Sequence, residues 1–74
     1  MTLLTLADAP LATPLTLAGV PAGHALQLSR QGLRPGAAFS VVRRSTGGGR
    51  VVSIGGARVA LGRSLLRGIT AESL

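Results

Sequence analysis

Residues 28–44 read LSRQGLRPGAAFSVVRR, and this stretch decides the fold because it ends a helix, turns sharply and starts a strand. Gly32 suits the left-handed position just past a helix, Leu33 can pack back on the last turn, and Pro35 prevents the helix from continuing. Pro35 and Gly36 also suit the two central positions of a type II turn, since proline presets the first φ and glycine accepts the positive second one.

One strand and one helix are predicted upstream of this stretch. Apolar and polar residues alternate from Leu15 to Val20, which indicates a strand. Pro21 then introduces a helix from Ala22 to Gln31. The residues at helical spacing on its predicted buried stripe are Ala22, Ala25, Leu26 and Ser29.

Short strands separated by glycine-containing turns follow downstream. The strand from Ala37 to Arg44 places Phe39 and Val41 on one face, and it ends in the glycine loop at residues 45–49 (STGGG). The remaining predicted elements are a strand from Arg50 to Ile54, a tight Gly55-Gly56 hairpin, a strand from Ala57 to Leu61, a helical turn from Arg63 to Arg67 and a short strand from Ile69 to Glu72. About five strands, with one short helix after the first and a helical turn before the last, predict an all-β fold that forms a small barrel.

The first fourteen residues show no regular pattern. Apolar residues are irregularly spaced from Met1 to Pro14, and the segment contains two prolines. We therefore predict two parts of the chain, an extended arm at residues 1–14 and a barrel domain at residues 15–74. Leu3, Leu4 or Leu6 could lie against the body of the domain.

Composition limits the class of protein. A chain of 74 residues can hold one small core. Because it has no cysteine, neither a disulfide nor a thiolate-bound zinc can stabilise that core. The first ten residues lack Lys and Arg, and the longest uncharged run, residues 9–29, contains three prolines. We therefore expect neither a signal peptide nor a transmembrane helix, and we expect a cytoplasmic location.

The charge is strongly unbalanced. The chain has eight arginines, no lysine and only two acidic residues, which gives a formal net charge of +6. Nucleic acid, an anionic membrane surface and an acidic protein face are the partners that such a charge attracts, while a GC-rich coding bias explains the arginines equally well. Arg43, Arg44 and Arg50 flank the glycine loop and form the densest basic cluster, which is either a solvated face or a docking patch.

Catalytic motifs are not found in the sequence. The two acids, Asp8 and Glu72, lie near opposite ends of the chain, and Ser53 lacks the glycine that leads a nucleophile elbow. His24 has no companion ligand for a metal, and the glycine loop lacks the order of a phosphate-binding loop. We therefore predict no enzyme activity, no cofactor and no metal site. Nucleic-acid binding is also disfavoured, because small barrels stack bases on aromatic platforms and this chain has a single aromatic residue.

The sequence resembles the FeoA family of ferrous iron transport accessory proteins over about four fifths of its length. The resemblance is carried by a helix ending in Gly-Leu-x-Pro-Gly, a hairpin with a central glycine, a Val-Ala-Leu-Gly strand end and a closing apolar segment. These positions are Gly32, Leu33, Pro35, Gly36, Gly55, Val59, Ala60, Leu61, Gly62 and Ile69. Gln27 and Gln31, both in the predicted helix, depart from the residues that the family usually has there.

The resemblance implies an SH3-like barrel in the bacterial cytoplasm that binds the cytosolic part of FeoB, a membrane iron transporter, and is recruited to the inner face of the membrane. The residues expected to contact the partner are Arg43, Arg44, Arg50, Leu65, Leu66 and Arg67. Two alternatives stay open. One is an SH3-like module related to the C-terminal domain of DtxR-type metal-dependent regulators, and the other is a nonspecific basic nucleic-acid-binding barrel.

Overall fold

A computed structural model describes residues 2–73, which form one six-stranded sheet and two short helices. The strands are β1 (Thr2–Thr5), β2 (Pro14–Gly19), β3 (Ala38–Arg44), β4 (Arg50–Ile54), β5 (Ala57–Leu61) and β6 (Thr70–Ser73). The helices are α1 (Ala25–Arg30) and α2 (Arg63–Leu66). One 3-10 turn (Ala22–His24) precedes α1, and another (Thr46–Gly48) lies between β3 and β4. Neither helix has the length and apolar character needed to cross a membrane.

The strand order is β1-β6-β2-β3-β4-β5, and all five neighbouring pairs are antiparallel. The prediction of an all-β fold is confirmed. The sheet has six strands instead of about five because the N-terminal segment contributes β1. For the same reason α1 follows the second strand and not the first, which corrects its predicted place.

The N-terminal segment belongs to the domain. β1 pairs with β6 along its whole length, the Leu6 N–H donates to the Ile69 carbonyl at 2.9 Å, and Leu6 and Ala9 are buried in the core. The prediction of a separate arm at residues 1–14 is therefore corrected. Without β1, β6 would be an edge strand with unpaired backbone groups, and the core would lose Leu6.

The end of α1 has the geometry that the sequence predicts. The Leu33 N–H donates to the Leu28 carbonyl at 2.9 Å and the Gly32 N–H to the Ser29 carbonyl at 3.0 Å, which is the paired bonding of a Schellman motif. Leu33 and Leu28 are both buried. The predicted buried stripe through Leu26 is wrong, because Leu26 is 67% exposed and Leu28 is the buried residue of the helix.

Two glycine turns set the directions of the strands. Gly36 has φ +90°, and the Ala37 N–H donates to the Arg34 carbonyl at 3.0 Å, as the predicted turn requires. Gly55 and Gly56 have φ +56° and +83° and join β4 directly to β5. Residues with a Cβ are strained at such angles, so both turns depend on glycine.

The core is aliphatic and lies inside the curved sheet. It contains the buried residues Leu6, Ala9, Leu15, Leu17, Leu28, Leu33, Phe39, Val41, Val52, Ile54, Leu61, Leu66, Ile69 and Ala71. The predicted face of β3 with Phe39 and Val41 is buried, as are Val52 and Ile54 on β4, whereas Val59 on β5 is half-buried. Closing the core with residues from both ends of the chain makes the fold non-local.

Candidate functional site

A pocket of about 320 Å³ opens where the loop between β3 and β4 meets α2. Four arginines line it, Arg44, Arg50, Arg63 and Arg67, and we call it the arginine pocket. Four of the residues that the sequence predicts for partner contact thus line one pocket although they lie in two separate segments: Arg44, Arg50, Leu66 and Arg67. Arg43, although exposed beside Arg44, is not part of the pocket lining.

A β-bulge in β3 turns the two adjacent arginines outward. The register against β4 shifts between Val41 and Arg43, so that Val41 pairs with Val52 and Arg43 with Val51. Uninterrupted alternation after the buried Val41 would have aimed Arg43 at the core. With the bulge, Arg43 and Arg44 are both exposed, and the strand carries its charges to the rim of the barrel without burying one.

Arg50 holds the N-terminal segment in place. Its guanidinium donates to the main-chain carbonyl of Ala9 and, at 2.8 Å, to that of Ala7. The Ala12 N–H, a few residues further on, donates to the Val41 carbonyl at 2.8 Å. The half-buried Arg50 side chain therefore has a structural role, and its contact with a partner stays a prediction.

Replacing Arg50 by glutamine is expected to cost about 1–3 kcal/mol of stability, because the carbonyls of Ala7 and Ala9 lose a charged donor. In a thermal melt followed by circular dichroism, Tm should fall by about 4–8 °C for each kcal/mol lost. Arg58→Gln on the exposed face of β5 is the matched control and should leave Tm nearly unchanged. Equal melting of the two variants would show that the carbonyl contacts contribute nothing.

The two leucines of α2 face the core to different extents. Leu66 is 1% exposed and belongs to the core, so its predicted contact with a partner is wrong. Leu65 is half-buried and packs against the core with part of its side chain still accessible. The single turn between Gly62 and Leu66 closes with the Leu66 N–H donating to the Gly62 carbonyl at 3.2 Å.

Arg63 is a site residue that the sequence analysis missed. It is exposed and lines the arginine pocket together with Arg67. The two residues are four apart across α2, and this spacing places side chains on one face of a helical turn. Because the predicted helical turn runs from Arg63 to Arg67, this spacing was the signal that could have identified Arg63.

The glycine loop forms the opposite wall of the pocket. A Cβ on Gly48, which has φ +84°, would lie 2.9 Å from Cδ of Arg63. A Cβ on Gly49 would lie 2.6 Å from the Leu61 carbonyl oxygen and 2.7 Å from Oγ of Ser45. The two glycines therefore let the loop pack directly on β5 and on the stem of Arg63.

Metal-ligating side chains do not cluster at this site. Across residues 2–73, no three His, Cys, Asp or Glu residues lie close enough together to hold a metal ion. His24 is exposed near the start of α1.

Comparison with known proteins identifies relatives of this fold. A family model described as "FeoA domain" matches residues 4–73. A crystal structure of an iron uptake regulatory protein (FeoA) superposes with a TM-score of 0.87 at 23% identity, covering 100% of both chains. The solution structure of FeoA from Chlorobium tepidum gives 0.85 at 23% identity, covering 96% of this chain and 70% of that one.

The same fold occurs inside a larger protein. A manganese-dependent transcriptional repressor matches with a TM-score of 0.84 at 22% identity over 97% of this chain and 42% of its own length. The search of curated proteins found no match. At these identities the solved structures establish the fold, which confirms the SH3-like barrel.

Proposed function

The chain belongs to the FeoA family, and from that premise we propose that it is a non-catalytic accessory protein of ferrous iron uptake that binds the cytosolic part of an FeoB-type membrane iron transporter. The observation that supports this proposal is the basic rim of the barrel. Four exposed arginines, Arg43, Arg44, Arg63 and Arg67, are brought there from two segments. Guanidinium groups grip carboxylates in a bidentate fashion, so this rim suits an acidic protein face.

The net charge of the chain fits binding beside a membrane. A net charge of +6 on 74 residues accelerates encounter with an acidic partner and with the anionic inner leaflet. The partly accessible Leu65 lies on the same α2 turn as Arg63 and Arg67 and adds an apolar contact. We therefore propose that the protein acts in the cytoplasm and is recruited to the inner face of the membrane by binding an FeoB-type transporter.

A second candidate function is that of an SH3-like module of a metal-dependent regulator. It is supported by the similarity to the manganese-dependent repressor, in which the matching part makes up 42% of the chain. Nucleic-acid binding by the barrel itself has less support, because the sole aromatic residue, Phe39, is 5% exposed and cannot serve as a stacking platform.

The partner proposal predicts that reversing the charge of Arg43 and Arg44 together weakens binding. We expect Arg43→Glu with Arg44→Glu to raise Kd for the purified cytosolic domain of FeoB by about tenfold or more, since two charge-assisted contacts become repulsive. Stability should change by about 0.5 kcal/mol or less, because both side chains are exposed. Isothermal titration calorimetry gives Kd, and a thermal melt gives the stability.

Arg30→Glu with Arg34→Glu is the matched control, because both residues are exposed and the net charge changes equally. If the control weakens binding as much as the rim variant, only the overall charge matters. If neither variant affects binding, the arginine rim is not the contact surface.

A further inference from the structure

We propose that the arginine pocket binds a phosphate group. Three of its guanidiniums, those of Arg44, Arg63 and Arg67, belong to exposed side chains, whereas that of Arg50 is held by two main-chain carbonyls. This inference goes beyond the proposed function, because it needs no protein partner and can be tested on the protein alone.

The positive charge of the pocket arginines is not balanced by an acidic side chain in the pocket lining. Neither acid of the chain, Asp8 or Glu72, is among the lining residues, and Oδ2 of Asp8 accepts a bond from Oγ1 of Thr5 at 3.5 Å. In β3 and β4, Arg44 and Arg50 are direct cross-strand partners, an arrangement of like charges that is unfavourable in a sheet. An anion between the guanidiniums would relieve this repulsion.

Inside the pocket, one phosphate group matches the three available guanidiniums better than one carboxylate does. Each guanidinium offers up to five N–H donors in a planar fork, and a bidentate pair uses two of them on one oxyanion. Three available guanidiniums therefore match the three terminal oxygens and nearly two negative charges of a phosphomonoester. A carboxylate has two oxygens and one charge, which would leave one guanidinium without a partner.

The pocket is built by the fold and is not a set of independent surface side chains. The stem of Arg63 lies against the backbone of Gly48, where a Cβ would be 2.9 Å from Cδ. Arg50 is fixed by its bonds to Ala7 and Ala9, and Ala7 and the buried Leu66 also line the pocket. Contacts of this kind reduce the side-chain freedom that binding would otherwise remove.

The volume admits more than a bare ion. About 320 Å³ is at the lower end of the range for small-molecule pockets, whereas a water molecule takes up roughly 30 Å³. A phosphate ion free in solution and the phosphate of a lipid headgroup that projects from a membrane would therefore both fit. The chemistry of recognition is the same in both cases.

The test is a titration of the 15N-labelled protein with inorganic phosphate at constant ionic strength, followed by the amide shifts. We expect saturable shifts centred on Ser45, Gly48 and Gly49, and about tenfold weaker binding in Arg63→Gln with Arg67→Gln, which removes two charged donors. Arg30→Gln with Arg58→Gln removes the same charge outside the pocket lining and should retain the affinity. A parallel arm measures co-sedimentation with phosphatidylcholine vesicles, with and without phosphatidic acid.

Each outcome decides the proposal. Saturable binding of free phosphate that only the pocket variant loses supports it, and binding confined to phosphatidic acid vesicles with the same variant pattern assigns the lipid headgroup as the source. Equal losses of affinity in both variants would mean that binding depends only on net charge, and would overturn the proposal. The absence of saturable binding in both arms would overturn it as well, and would leave the transporter-binding proposal unaffected.

Discussion

Phe39→Ala is expected to unfold the domain at room temperature. Phe39 is 5% exposed, belongs to the core cluster and stands opposite Leu15 where β2 pairs with β3. Truncating a buried phenylalanine costs about 3–5 kcal/mol. A single core in a chain of this size supplies about the same amount, so little stability would be left.

The measurement is a urea titration followed by far-ultraviolet circular dichroism. Phe39→Leu is the control, since it keeps most of the buried volume and should remain folded with a lower midpoint. A Phe39→Ala protein that still showed a cooperative transition near the wild-type midpoint would mean that Phe39 is not a central core residue.

Leu6→Ala is expected to destabilise the domain by about 2–5 kcal/mol, the usual cost of truncating a buried leucine. Leu6 is 0% exposed and follows β1 directly, whereas the sequence predicted an extended arm from which Leu6 could lie against the body of the domain. Leu3→Ala is the matched control, because Leu3 lies in β1 and is 64% exposed. It should change stability by about 0.5 kcal/mol or less.

Urea midpoints of the two leucine variants distinguish the two descriptions of the N-terminus. A large loss for Leu6 with almost none for Leu3 is the result that an integrated strand requires. Small and equal losses would be the behaviour of an arm that lies loosely on the surface, and would contradict the pairing of β1 with β6.

The candidate site was predictable only in part. The sequence pointed to a basic cluster of Arg43, Arg44 and Arg50 beside the glycine loop, and the structure places Arg44 and Arg50 of this cluster in the arginine pocket. It did not reveal Arg63, which joins the pocket through its spacing to Arg67 across α2. The sequence also did not reveal that Arg50 bonds to the N-terminal segment and that Leu66 is buried, because the type of a residue does not show whether its side chain is used inside the fold.

The sequence by itself determined the local geometry of this protein. The helix end at Gly32, the turn at Gly36 and the β4–β5 hairpin each depend on glycine or proline within a few residues, so neighbouring residues specify them. The inward faces of β3 and β4 follow from alternation in the same way. Resemblance over these motifs also pointed to the family.

Only the tertiary structure determined the contacts between segments that are far apart in the chain. The pairing of Thr2–Thr5 with Thr70–Ser73 and the bonds from Arg50 to Ala7 and Ala9 connect residues far apart in the chain. Which backbone groups pair and which apolar side chains are buried depends on the neighbours that the folded chain brings close. A local sequence pattern does not contain this information. The N-terminal strand and the arginine pocket both arise from such long-range contacts.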